Sequence, residues 1–240
     1  MTPDPEKAAP HIGTLREKSL HAALKAWYGR PGDRIEARVD GFVVDIVRGE
    51  LLIEIQTRRL GAMKQKLARL LPHHPVRLVH PIAQQKWIVR QTAGGLPLGR
   101  RKSPKRGQAV DIFAELVSIP HLLSHPNLTV ELLLTREEEI LRNDGRGSWR
   151  RKRWSIHDRR LLAVVKQVRL SSLADYCALL PETLPDPFTS RDLAAALPCR
   201  LPLARKMTYT LRQSGGIEVI GKQGNAWLYH VPRQPAAEEA

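Results

Sequence analysis

Residues 41–57 read GFVVDIVRGELLIEIQT, and this stretch decides the fold. It is dominated by β-branched and aliphatic residues and broken near its middle by Arg48-Gly49, so it reads as two strands, 42–47 and 51–57, joined in a hairpin. Each strand carries one carboxylate among apolar neighbours, Asp45 in the first and Glu54 in the second. Side chains alternate between faces, so an even-numbered loop of two or four residues puts both acids on one sheet face. The four-residue version sets them directly opposite, with Cβ atoms about 5 Å apart. Two carboxylates that close repel unless a proton or a metal lies between them, and Mg²⁺ prefers one or two carboxylates completed by waters and phosphate oxygens. Gln56, two residues beyond Glu54, falls on the same face. The competing reading is a solvated sheet face, but the run around Glu54 is apolar enough to be covered on both sides, where a lone carboxylate is costly.

Working outward, residues 34–39 make a further strand, joined through Asp40-Gly41. Before it, Leu15, Leu20, Ala23, Leu24 and Trp27 recur at helical spacing across residues 13–28. Thr14 and Glu17 form a capping box, and Gly29-Arg30-Pro31-Gly32 stops the helix. After the hairpin, Leu60, Met63, Leu67, Leu70 and Leu71 line one face of a helix ending before Pro72, and residues 76–80 and 86–91 read as two short strands. A helical crossover between the third and fourth strands makes those two parallel. The expected class is α/β, a mixed sheet flanked by helices.

This order, a helix bearing Glu17, a hairpin with Asp45, then Glu54-Ile55-Gln56, a helix and two strands, resembles the PD-(D/E)XK nuclease superfamily over residues 13–93. The similarity is to its restriction-endonuclease-like and Holliday-junction-resolvase-like members. The resemblance implies that Asp45 and Glu54 ligate Mg²⁺ or Mn²⁺ and that Glu17 is an accessory acid; resolvase-like members often act as dimers, so a homodimer is compatible with it, and the oligomeric state stays open. In the family a Lys two residues after the Glu orients or activates the attacking water. Gln56 stands there here, and a neutral amide can place a water but adds no positive charge. A Lys on the following helix takes that role in some members, and Lys64 is the first candidate, with Lys66, Arg58 and Arg59 behind it.

The remainder is basic. Of 240 residues, 39 are Lys or Arg and 24 Asp or Glu, a formal net charge of +15. Lys and Arg that neutralise phosphates release condensed counterions, so nucleic acid is the expected partner, and the resemblance points to DNA. Residues 94–107, containing Arg100-Arg101-Lys102 and Lys105-Arg106, read as a basic loop or linker. Residues 108–170 read as a basic connecting region, with a helix at 110–117 and a strand at 128–134. Residues 135–142 fit either a helix or a longer strand, and a helix capped by Ser155 or Asp158 is expected over 157–168. Within it, Trp149, Arg150, Arg151, Lys152, Arg153 and Trp154 interleave cations with aromatics, as nucleic-acid contacts do.

Residues 171–233, three helices and a β-hairpin, resemble a winged helix whose third helix would offer Arg205, Lys206, Tyr209 and Arg212. Residues 1–12 and 234–240 read as disordered. Two cysteines without metal-site spacing suggest reduced thiols and a cytoplasmic protein, and no apolar run is long enough to span a bilayer. No phosphate loop, dinucleotide fingerprint or nucleophile triad is present. The expected function is a metal-dependent endonuclease acting on DNA in repair, recombination or defence; the alternative is a non-catalytic nucleic-acid-binding protein on the same scaffold.

Overall fold

The computed structural model describes residues 19–145, 147 and 154–232. The Thr14–Glu17 capping box, with Glu17 the expected accessory acid, and Trp149, Arg150, Arg151, Lys152 and Arg153 lie outside these.

Helix α1 (Ser19–Tyr28) precedes the meander β1 (Arg34–Val39), β2 (Phe42–Arg48) and β3 (Leu51–Ile55). A 3-10 turn (Leu60–Met63) leads into α2 (Lys64–Leu70) and then β4 (Val76–Gln91). The β2–β3 turn is a tight two-residue one, with Arg48 paired to Leu51 and Ile46 to Ile53. Strand β3 pairs in parallel with the first part of β4, Leu52 with Val76 through Ile55 with Val79, as a helical crossover requires. Its near-continuous apolar sequence follows from cover on both faces. Leu20, Leu24 and Tyr28 of α1 pack on Ile46, Ile53, Ile55 and Val79, while Leu67 and Leu70 of α2 join the cluster containing Val44, Leu52 and Leu78.

The sheet does not end at residue 93. Residues 76–80 and 86–91, expected as two strands, are one 16-residue strand. The expected loop at 94–107 contributes β5 (Pro97–Lys102), antiparallel to the distal part of β4 from Trp87 to Gln91. A strand forms there without a buried residue because the edge of β4 supplies its backbone partners. A 3-10 turn (Ala109–Ile112) and α3 (Phe113–Leu116) cross over to β6 (Leu128–Arg142), parallel to β4 along its whole length. Residues 135–142 are therefore strand. Strand β7 (Ser155–Leu170) returns antiparallel to β6, so the helix expected over 157–168 is a correction: Leu161, Val164, Val165 and Val168 fit a helical period, but pairing with β6 decides. The result is a seven-stranded mixed sheet ordered β1-β2-β3-β4-β6-β7, with β5 beside β4, flanked by helices.

Beyond it lie α4 (Leu173–Cys177), α5 (Ser190–Ala196), α6 (Leu201–Ser214) and the hairpin β8 (Glu218–Gln223) and β9 (Ala226–His230). Thr189 and Asp192 cap α5 reciprocally, and Gly215, at φ 84°, closes α6 in the left-handed conformation that favours glycine. Ala204, Met207 and Leu211 of α6 are buried in the same core as Phe113 and Leu116 of α3. No described helix is long and apolar enough to cross a membrane.

Candidate active site

One more step of the β2–β3 register sets Asp45 against Glu54. The two carboxylates clasp the opposing backbones: Asp45 Oδ2 accepts from the Ile55 amide at 2.8 Å, and Glu54 accepts from the Asp45 amide. They are nevertheless engaged from opposite sides, which departs from the simple alternation expected. The β1–β2 ladder skips the Glu36/Asp45 step, where Glu36 has φ 51°, and at this break Asp45 meets His21 of α1, Nε2 to Oδ2 3.2 Å. Glu54 is met from α2, where the Lys66 ammonium lies 2.5 Å from Oε1 and donates to the Val43 carbonyl.

Glu54 is 5 % exposed. Burial pushes its carboxyl up to about 7, against the pull of Lys66, and the charge of Asp45 adds to the rise. Burial also opposes ionisation of Asp45, but the hydrogen bonds from His21 and Ile55 outweigh it and hold that carboxyl below its ordinary range. Two adjacent acids of one kind are thus driven apart, a pattern typical of functional sites.

Gln56 is not directed at this pair: its amide donates to the Arg59 carbonyl at 3.2 Å. Lys64 is exposed and at the start of α2, whereas Lys66, one residue before buried Leu67, reaches Glu54. The short 3-10 turn preceding α2 fixes this phase, which periodicity alone leaves open. His21 and His80 were absent from the sequence reading. In the sequence His21 stands three residues before Leu24 and one after Leu20, both buried, and nothing in the apolar stripe marks it as a partner of Asp45. His80 Nδ1 donates to the Gln56 carbonyl at 2.6 Å, and burial holds its imidazole below the ordinary value. It lines a cavity of about 250 Å³ with Lys86, Lys105, Asp111 and Glu115, opening where the edge of β4 passes from β3 to β5. Among the described residues, no group of three His, Cys, Asp or Glu side chains is placed to hold a metal.

Of the expected nucleic-acid contacts, Trp154 stacks under Arg90, 5.3 Å from its ring centroid. Arg205, Tyr209 and Arg212 are exposed on α6. Lys206 instead turns inward and donates to the Ala114 carbonyl of α3 at 3.1 Å. A groove of about 550 Å³ between α5, the start of α6 and the β8–β9 hairpin is lined by Arg191, Arg205 and Trp227 among others.

A family model described as Domain of unknown function (DUF8091) matches residues 18–171, the span of the large sheet with α1. An uncharacterized protein of Treponema pallidum (strain Nichols) is 32 % identical over 222 residues, covering 91 % of this chain and 86 % of the relative. No solved structure matches the chain.

Proposed function

The chain belongs to the family of the Domain of unknown function (DUF8091), and from the geometry of that shared unit we propose a divalent-metal-dependent phosphodiesterase acting on DNA. In this reading residues 18–171 are a restriction-endonuclease-like core, and α4–α6 with β8–β9 are a winged helix that helps hold substrate through Arg205, Tyr209 and Arg212.

The observation that carries it is the buried Glu54 carboxyl beside Asp45, with Lys66 at 2.5 Å. Both donors are carboxylate oxygens of the type Mg²⁺ and Mn²⁺ take; because they are engaged from opposite sides, a shared ion requires one carboxylate to leave its present partner, Asp45 from His21 or Glu54 from Lys66. The element order α1–β1–β2–β3–α2–β4 is also the one the resemblance implies. Held by Asp45 and Glu54, a Mg²⁺ or Mn²⁺ would supply Lewis-acid charge to the phosphate and a more acidic water. The chain's own residues do the rest. Lys66 supplies the positive charge that Gln56 lacks, Asp45 stays ionised through His21 and Ile55, and His80 pins the backbone just after Glu54.

A second reading is favoured by one observation: both acids already have protein partners, Asp45 in His21 and Glu54 in Lys66. That pattern also suits a non-catalytic nucleic-acid-binding protein. Incubation of supercoiled, nicked and branched DNA with Mg²⁺ or Mn²⁺, using wild type beside Glu54→Ala and Asp45→Ala, separates the two. Cleavage by wild type that both folded variants lose is the expected result, and equal cleavage by all three refutes it. Salt-sensitive binding without hydrolysis selects the second reading.

A further inference from the structure

Between Pro81 and Val110 the chain carries seven cations, Lys86, Arg90, Arg100, Arg101, Lys102, Lys105 and Arg106, and no acid. The structure gathers five of them, Lys86, Arg90, Arg100, Arg101 and Lys102, on the hairpin of distal β4 and β5, whose far side is paired with β6, while Lys105 and Arg106 follow β5. Every residue of β5 is exposed. Lys102 and Arg100 pair with Trp87 and Val89 and lie on one face, where both cations stack on the Trp87 ring at 5.5 and 4.9 Å. Arg101 pairs with Ile88 and lies on the other face. Two of these cations meet acids of β6, Lys86 with Glu139 and Arg100 with Glu138.

The tip is apolar. Leu96 is 69 % exposed and Leu98 60 %, the largest values among the exposed large hydrophobics of the described residues. The ladder runs from the pair Arg90–Gly99 to the pair Gln91–Pro97 and skips Leu98, which is bulged out of β5. Leu96 ends a turn closed by its carbonyl and amide on Thr92. Bulges re-aim side chains. Cations guard an exposed sheet edge against strand addition, which accounts for the arginines and lysines but not for two leucines held out at the end.

We propose that the β4–β5 hairpin is a DNA-distorting arm: its cations take phosphates on either side of a minor groove while Leu96 and Leu98 enter the base stack. The inference rests on the reading that the protein handles DNA, and it names the substrate class as duplex with weakened stacking. Inserting an apolar wedge costs the unstacking of a base step, so a nick or mismatch that has already lost that stacking is the better ligand. Charge on both faces suits a groove with a phosphate strand at each side. An anionic lipid surface would recruit one face only.

The experiment measures binding of the full-length protein, by fluorescence anisotropy, to an intact duplex, to the same duplex with a central nick or mismatch, and to phosphatidylserine vesicles. Wild type is expected to prefer the interrupted duplex by about tenfold. Leu96→Ser/Leu98→Ser should abolish that preference and leave intact-duplex affinity within about twofold, since both side chains are solvent-exposed. Arg101→Ala/Lys102→Ala should weaken both complexes and lower the salt slope by about 2. An unchanged preference in the leucine variant overturns the proposal, as does a leucine-dependent loss of vesicle binding or self-association with DNA discrimination intact. Leucine-dependent discrimination without any cleavage would refute catalysis and keep the arm; cleavage without a leucine effect would refute only the arm.

Discussion

Replacing Glu54 by Gln should make the protein progressively more stable relative to wild type as the pH rises from about 4.5 through about 7. The folded carboxyl holds its proton up to about 7, whereas the ordinary value is 4.5. At roughly 1.4 kcal/mol per pH unit this gap amounts to about 3 kcal/mol. Because the folded pKa is the raised one, the favourable contribution of Glu54 is complete below pH about 4.5 and is lost as the pH climbs through about 7. Gln mimics the protonated acid and does not titrate. Leaving Lys66 against an amide shifts the stability of the variant by an amount that does not vary over this range. Urea unfolding of wild type and Glu54→Gln at a series of pH values should therefore show the difference growing by about 2–3 kcal/mol between pH 5 and pH 8 in favour of the variant. Added Mg²⁺ or Mn²⁺ should narrow it by stabilising wild type alone. A pH-independent difference would show that Glu54 is not held protonated by its surroundings and would remove the basis for reading it as a strained functional acid.

Other outcomes follow from buried polar groups and tight contacts. Glu137 is fully buried and takes two hydrogen bonds from Arg159, at 3.1 and 2.7 Å, and one from Thr135. Arg159→Ala, which strands that carboxylate, should cost about 3–5 kcal/mol in chemical denaturation, and Glu137→Leu/Arg159→Leu should cost less than the single change. Tyr28 donates to buried Glu131 at 2.6 Å and accepts from Arg77, so Tyr28→Phe should lower stability by about 1–3 kcal/mol without altering the far-ultraviolet spectrum. A Cβ on Gly107 would meet the Ala83 carbonyl oxygen and Ile82 Cγ2 at 2.7 Å. Gly107→Ala should thus lower the melting temperature, at a cost of about 1–3 kcal/mol.

The first half of the large sheet was legible because its signals are local. Turn residues at Asp40-Gly41 and Arg48-Gly49, alternating aliphatic runs and the leucine stripe from Leu60 to Leu71 each act over a few residues, and they set Asp45 and Glu54 on neighbouring strands before any tertiary contact is known. The second half was not, because long-range pairing makes it. Residues 157–168 carry apolar residues that fit either period, and β5 has no burial pattern to detect at all. The site was half legible for a similar reason. The place of each acid on adjacent strands follows from the local pattern, but their common face does not: the turning of Asp45 toward His21 depends on a break in the β1–β2 ladder, and the choice of Lys66 over Lys64 on the 3-10 turn that sets the phase of α2.

The central claim is that Asp45 and Glu54 together hold a divalent cation with Lys66 alongside. Electron paramagnetic resonance of Mn²⁺ titrated into the full chain at neutral pH tests it most directly. Wild type should bind one ion per chain at this site, and Asp45→Asn and Glu54→Gln should each lose it. Mn²⁺ binding that is absent in wild type, or unchanged in both variants, would contradict it.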